Sequence, residues 1–175
     1  MFETGEMIIY GGEGVCVVED IGSPNVSGVN KDRLYYTLSP LYRTGRVFAP
    51  VDTPVFMRPV ISRDEAIDLI RTMPEVTGEL YENSNLRFLT EHYQQAIQSY
   101  SCAGLVKLIK DVYLKRQHVT SQGKKLGQID ERYMKRAEDM LYGELAVALS
   151  LDRSEVGPYI KNAIAQMEAG EEFNG

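Results

Sequence analysis

Apolar side chains follow two regimes along the chain. Up to about residue 60 they come in short runs separated by glycine and proline, and beyond it they recur every three or four positions. The first regime is that of strands and the second that of amphipathic helices. Glu6–Tyr10 (EMIIY) and Val15–Ile21 (VCVVEDI) are short, β-branched and apolar. Between them, Gly11-Gly-Glu-Gly14 reads as a hairpin turn, where glycine takes φ > 0 without a Cβ clash. Gly22–Asn25 and Ser27-Gly28 form the next connection, and Arg33–Ser39 partly alternates polar and apolar positions as a half-buried strand does. Thr44-Gly45 turns the chain into Arg46–Ala49. Pro50, Pro54 and Pro59 then punctuate a last short strand at Val55–Met57. Strands this short predict a small, strongly bent sheet or partial β-barrel whose edges stay open to a partner strand.

The period changes at residue 61. Ser62 and Glu65 have the spacing of a capping box, followed by an apolar stripe of Ala66, Ile67, Leu69 and Ile70. That helix should stop near Met73-Pro74, because proline lacks the N–H the helix needs. Glu75–Asn85 is a polar connection. Helical spacing resumes over Leu86–Gln98, Ala103–Arg116 and Ile129–Ser150, with a polar loop predicted at His118–Gly127. Asp152 or Ser154 caps a last helix reaching about Met167, with Pro158 near its opening turn, and the tail Gly170–Gly175 is expected to fray. The fold class is therefore α+β: a β-rich domain over residues 1–60 and an all-helical domain over 61–170.

Composition narrows the function classes. With 43% hydrophobic and 25% charged residues, disorder throughout is excluded. No run approaches the ~18 apolar residues of a membrane span, and the opening MFETGEM lacks a secretory leader's basic and apolar regions, so a cytoplasmic location is expected. Cys16 and Cys102 stand far apart without a CxxC partner, which fits buried free thiols. The net charge of −6 hides an uneven distribution: residues 101–137 carry nine basic and three acidic side chains, while residues 138–175 carry two and eight. Contact with phosphates follows local potential, so this basic island changes the picture.

Candidate chemistry is sparse. His92 and His118 have no nucleophile motif beside them, and the glycine-rich turn leads into a strand where a phosphate loop needs a helix N-terminus. No metal constellation exists, so an enzyme, a cofactor and a small-molecule substrate are not expected. The island itself comprises Lys107, Lys110, Lys115, Arg116, Lys124, Lys125, Arg132, Lys135 and Arg136. Lys107, Lys110 and Lys115 fall on one side of a helix, so a shared solvent face is expected for them. Such a helix–loop–helix corner suits sequence-tolerant, salt-sensitive contact with DNA. The bland alternative is a solvated face balanced by Asp111, Asp130 and Glu131.

The order of several short stretches resembles the CarD family of bacterial transcription regulators, relatives of the polymerase-interacting module of the transcription-repair coupling factor. They are Phe2-x-x-Gly5-x-x-x-Ile9-Tyr10 with Gly14-Val15, Val18-Glu-Asp-Ile21, Tyr35-Tyr-Thr-Leu38 and Val47-Phe-Ala-Pro50. Leu108-Ile-Lys-Asp111-Val-Tyr113 and Ala137-x-x-Met140-Leu-x-x-Glu144-Leu-Ala146 follow in the helical half. The resemblance implies a Tudor-like front domain that holds the RNA polymerase β subunit by strand-edge contact, through Tyr36, Arg46, Val47, Phe48 and Ala49. It also implies a helical domain that touches promoter DNA and stabilises the open promoter complex, through Leu86, Phe88, Lys124, Lys125, Arg132, Lys135 and Arg136. Family members commonly carry a tryptophan wedge early in the helical domain. This chain has no Trp, and Leu86 and Phe88 are the nearest apolar substitutes, although apolar residues in such a pattern are more often core. The missing Trp also motivates an alternative, a protein–protein adaptor that binds polymerase without productive DNA contact.

Overall fold

Short β-branched runs pair to make the N-terminal unit, the first four in sequence order and the last back against the first. β1 (Met7–Tyr10), β2 (Gly14–Gly22), β3 (Tyr35–Pro40), β4 (Val47–Pro50) and β5 (Met57–Pro59) form one antiparallel sheet in the order β4-β3-β2-β1-β5. The sheet does not close, so of the barrel and bent-sheet alternatives the open, bent one forms, with β4 and β5 as its edges. A register shift between Val18 and Asp20 marks a bulge against β3, the device that bends a strand. β5 starts two residues later than the sequence pattern predicts. Pro59 ends it at an edge, where a missing ladder donor is tolerated. The turn from β1 to β2 is a short 3₁₀ segment, Gly11–Glu13. Gly11 is required there, since its φ is 42° and a Cβ would come within 2.9 Å of Val55.

The computed structural model covers all residues, Met1–Gly175, in two units, Met1–Val60 and Ile61–Gly175. The front unit's core is Ile8, Cys16, Val18, Tyr36, Leu38 and Ala49. Burial, then the Glu13 carboxylate, pushes the Cys16 thiol up to about 11, so it is a protonated core thiol at neutral pH.

The second unit holds α1 (Arg63–Thr72), α2 (Leu86–Ile97), α3 (Cys102–Ser121), α4 (Gln128–Leu149) and α5 (Arg153–Glu168) around a core that includes Ile70, Val112, Leu145 and Val156. The Ser62–Glu65 capping box opens α1, and Asp152, rather than Ser154, opens α5 with Glu155. Pro158 lies at the sixth helical position, beyond the opening turn where it was expected. α3 runs five residues past the predicted stop at Arg116, because no breaker occurs before Gly123 at φ 72°. The tail does not fray. Gly170 at φ 81° turns the chain back, and Phe173 is buried against the Tyr159 ring at 5.8 Å. Arg71 donates to the Phe173 carbonyl at 2.7 Å and to the Asn174 side chain at 2.6 Å.

Candidate functional site

Edge chemistry in the front unit is set by the register of its two outer strands. Val51 N–H donates to the Leu34 carbonyl at 3.1 Å, so the backbone groups at 51, 49 and 47 face β3. The two-residue period then turns the N–H and C=O of Phe48 outward, away from the sheet. On the opposite edge, Val60 N–H donates to the Met7 carbonyl at 3.2 Å, which turns Met57 and Pro59 outward. Pro59 has no N–H, and its carbonyl accepts from the Arg58 guanidinium at 3.1 Å. Pro50 turns outward on β4 in the same way, without an N–H and with its carbonyl accepting from Thr53 N–H at 3.0 Å, so each edge keeps one outward residue with both backbone groups, Phe48 on β4 and Met57 on β5.

The predicted residues on β3 and β4 divide accordingly. Tyr36 and Ala49 offer no side-chain surface, being 2% and 0% exposed, and the Tyr36 hydroxyl accepts from Phe2 N–H at 3.1 Å. Both side chains belong to the core of the front unit. Val47 packs partly against that core. Phe48 is half-buried and projects from the other face. The exposed Arg46 guanidinium donates to Glu19 at 2.8 Å.

In the helical unit, α2 descends beside α4 in parallel register. Tyr93 meets Asp130 and Tyr133, and Ile97 and Gln98 share a small cleft with Arg136. The segment before α2 runs toward the C-terminal end of α3: Glu79 N–H donates to Asp111, and three residues on, Glu82 lies 3.7 Å from His118. Together these contacts place the first turn of α2 at the end of the unit that carries the loop after Ser121. Leu86 and Phe88, placed in the core as the commoner reading, are instead 62% and 52% exposed there. Lys124 and Lys125 are exposed at the same end and have no acidic partner. Arg132 lies over the Tyr133 ring at 5.4 Å, and Lys135 donates to Asp139 at 2.6 Å. Arg136 is exposed beside Gln94 and Gln98, roughly 12 Å along α4 from its first residue. The loop cations and Leu86 therefore come together, while Lys135 and Arg136 stand two turns away.

The expectation that Lys107, Lys110 and Lys115 share one solvent face fails. Lys107 is shared by Asp111 at 3.1 Å and Glu79 at 3.3 Å. Lys115 is 8% exposed and donates to Asp130 Oδ1 at 2.8 Å. The same oxygen accepts from the Tyr93 hydroxyl at 2.5 Å. Burial, and then the Asp130 carboxylate, raises that phenol well above its ordinary range, so it stays a donor. A second buried carboxylate, Glu144, accepts from Ile61 N–H and from the Cys102 thiol, each at 3.1 Å. Sequence reasoning placed Asp130 on a solvated face and gave Glu144 no buried role, although a signal existed: Asp130, Tyr133, Ala137, Leu141 and Glu144 repeat at three- and four-residue steps, so two charged groups stand on an apolar stripe.

None of the helices is long and apolar enough to cross a membrane. Residues 2–61 match the family described as the CarD-like/TRCF RID domain. No curated protein matches the chain.

Proposed function

Starting from a front unit that is a CarD-like/TRCF RID domain, an RNA polymerase-interacting domain, we propose that this protein is a transcription regulator that stabilises the open promoter complex. The observation that carries the reading is the outward backbone of one residue, Phe48, on the β4 edge of that domain. The Phe48 backbone groups are ready to extend a strand of the polymerase β subunit in a bacterial cytoplasm. The helical unit supplies the DNA contact through Lys124 and Lys125, which neutralise phosphates, and an apolar side chain at the start of α2 that unstacks a base step. Leu86 fills the wedge role better than Phe88. It lies three, seven and eleven residues before Leu89, Tyr93 and Ile97, on the stripe that faces α3 and α4, so it leaves the bundle in line with the loop cations. Phe88 points roughly 200° around the axis from Leu86.

The test is a salt titration of promoter-DNA binding in the presence of RNA polymerase. The Lys124→Glu/Lys125→Glu variant should retain polymerase and lower the salt slope by about two, one for each phosphate released. An unchanged slope with polymerase still retained would instead identify an adaptor without DNA contact. Leu86→Ala should shorten the open-complex lifetime several-fold, and Phe88→Ala should leave it within about twofold of the parent, read by challenge with a competitor. Equal effects of the two would remove the wedge assignment.

A further inference from the structure

Three helices of the second unit are pinned at one oxygen atom. Asp130 Oδ1 accepts from Lys115 of α3 at 2.8 Å and from Tyr93 of α2 at 2.5 Å, while Asp130 itself sits in the first turn of α4. The side chains of Lys115 and Asp130 are 10% and 4% exposed, so this is an interior network. Its position in the fold is specific. Tyr93 is seven residues after Leu86, two helical turns on and within about 20° of the same stripe. Asp130 follows Lys125 by five residues, and Lys115 precedes Ser121 by six. All three members thus stand within about 11 Å, along their helices, of the end that bears Leu86, Lys124 and Lys125.

An apolar contact between helices resists separation but tolerates rotation and sliding, because dispersion has no preferred direction. A hydrogen bond from a ring hydroxyl to one carboxylate oxygen does not tolerate them. We infer that Tyr93, Asp130 and Lys115 are positioning residues for the DNA contact: they fix the rotation of α2 about its axis and hence where Leu86 points relative to the loop lysines. The network touches no nucleic acid itself. Its directional bonds hold an apolar group and two cations in one fixed pattern, the use of buried polar groups in which they specify register rather than add stability. This inference rests on the proposed DNA contact for its purpose, but not for its geometry.

The experiment replaces the network without leaving a buried charge behind. Tyr93→Phe, Lys115→Met and Asp130→Leu are combined in the full chain, an exchange that well-packed interiors accept. Urea unfolding followed by circular dichroism first establishes that the variant folds. Spin labels at Phe88→Cys and Gln122→Cys then report the separation between α2 and the loop; the two native cysteines are buried. The parent should give one narrow distance distribution, and the apolar variant a broadened or displaced one. In the open-complex assay the apolar variant should lose the several-fold contribution of Leu86, so that adding Leu86→Ala changes nothing further, while polymerase retention and the Lys124/Lys125 salt slope persist. Restoring Tyr93 and Asp130 together should recover most of the effect. An unaltered distance distribution in the folded apolar variant overturns the inference whatever happens on DNA. A parent protein with a narrow distribution, broadened in the variant, but no effect on open complexes would sink the wedge role of Leu86 in the proposed function and leave the positioning geometry standing.

Discussion

Asp130→Ala should be the most damaging single truncation in the helical unit, lowering its unfolding free energy by about 3 to 5 kcal/mol. The carboxylate is nearly inaccessible and accepts from two buried donors. Its removal strands the Lys115 ammonium, 8% exposed, among apolar neighbours, and leaves the Tyr93 hydroxyl without its partner. The penalty is chiefly that of an uncompensated buried charge, not the worth of a salt bridge. The variants should therefore rank in a definite order. Tyr93→Phe removes one donor and leaves the ion pair intact, so it should cost about 1 kcal/mol. Asp130→Asn keeps an acceptor but discards the charge, and should fall between the two. Lys115→Met/Asp130→Leu removes both charges and should recover most of the loss. Urea denaturation read through helical circular dichroism gives the ranking. A cost below about 1 kcal/mol for Asp130→Ala would mean that water reaches Lys115.

That network also shows where sequence reading stops. The boundary near residue 60, the strands, the capping box at Ser62 and the five helices were legible because each follows from local chemistry: β-branched runs, proline, cap spacing and a three-to-four period. Lys107 and Lys115 were misread as part of a phosphate-binding face because helical geometry puts them on one side of α3 without saying what lies opposite. Lys107 meets Asp111 one turn on and Glu79 from the segment before α2, and Lys115 meets Asp130, 15 residues on in α4. Leu86 was the converse case. Its spacing is that of the core stripe Leu89, Tyr93 and Ile97, yet α2 begins at the end of the bundle, beyond its packing partners, and Leu86 faces solvent, while Phe88 lies on the opposite, outer side of the helix. Phe173 was read as a frayed tail because no local pattern reveals the groove that Tyr159 and Arg71 prepare for it. Which residues of β4 and β5 offer their backbone to a partner depends on which side each N–H faces, and that is set by strand register, not by residue type.

The β4 edge makes a second strong prediction, because backbone and side chain can be separated at one position. Phe48→Pro should reduce retention of RNA polymerase at least tenfold while the protein stays folded. In β4 the Phe48 N–H faces outward and serves no ladder bond, so proline removes nothing the sheet uses; edge strands with the N–H outward are where proline is tolerated. Val47 before it is already extended, the conformation that a following proline demands. What proline takes away is the donor offered to a partner strand. Its ring also places carbon where the partner's carbonyl would approach. Loss of the bond alone is worth about 1 kcal/mol, and the steric conflict adds to it. Phe48→Ala keeps the donor and should lose much less, while Arg46→Ala breaks an exposed pair with Glu19 and should change retention little. Circular dichroism and a polymerase pull-down over a salt series distinguish the outcomes. If Phe48→Pro and Phe48→Ala weaken retention equally, a side-chain contact would replace strand pairing as the basis of binding. If neither weakens it, polymerase is held elsewhere on the front unit.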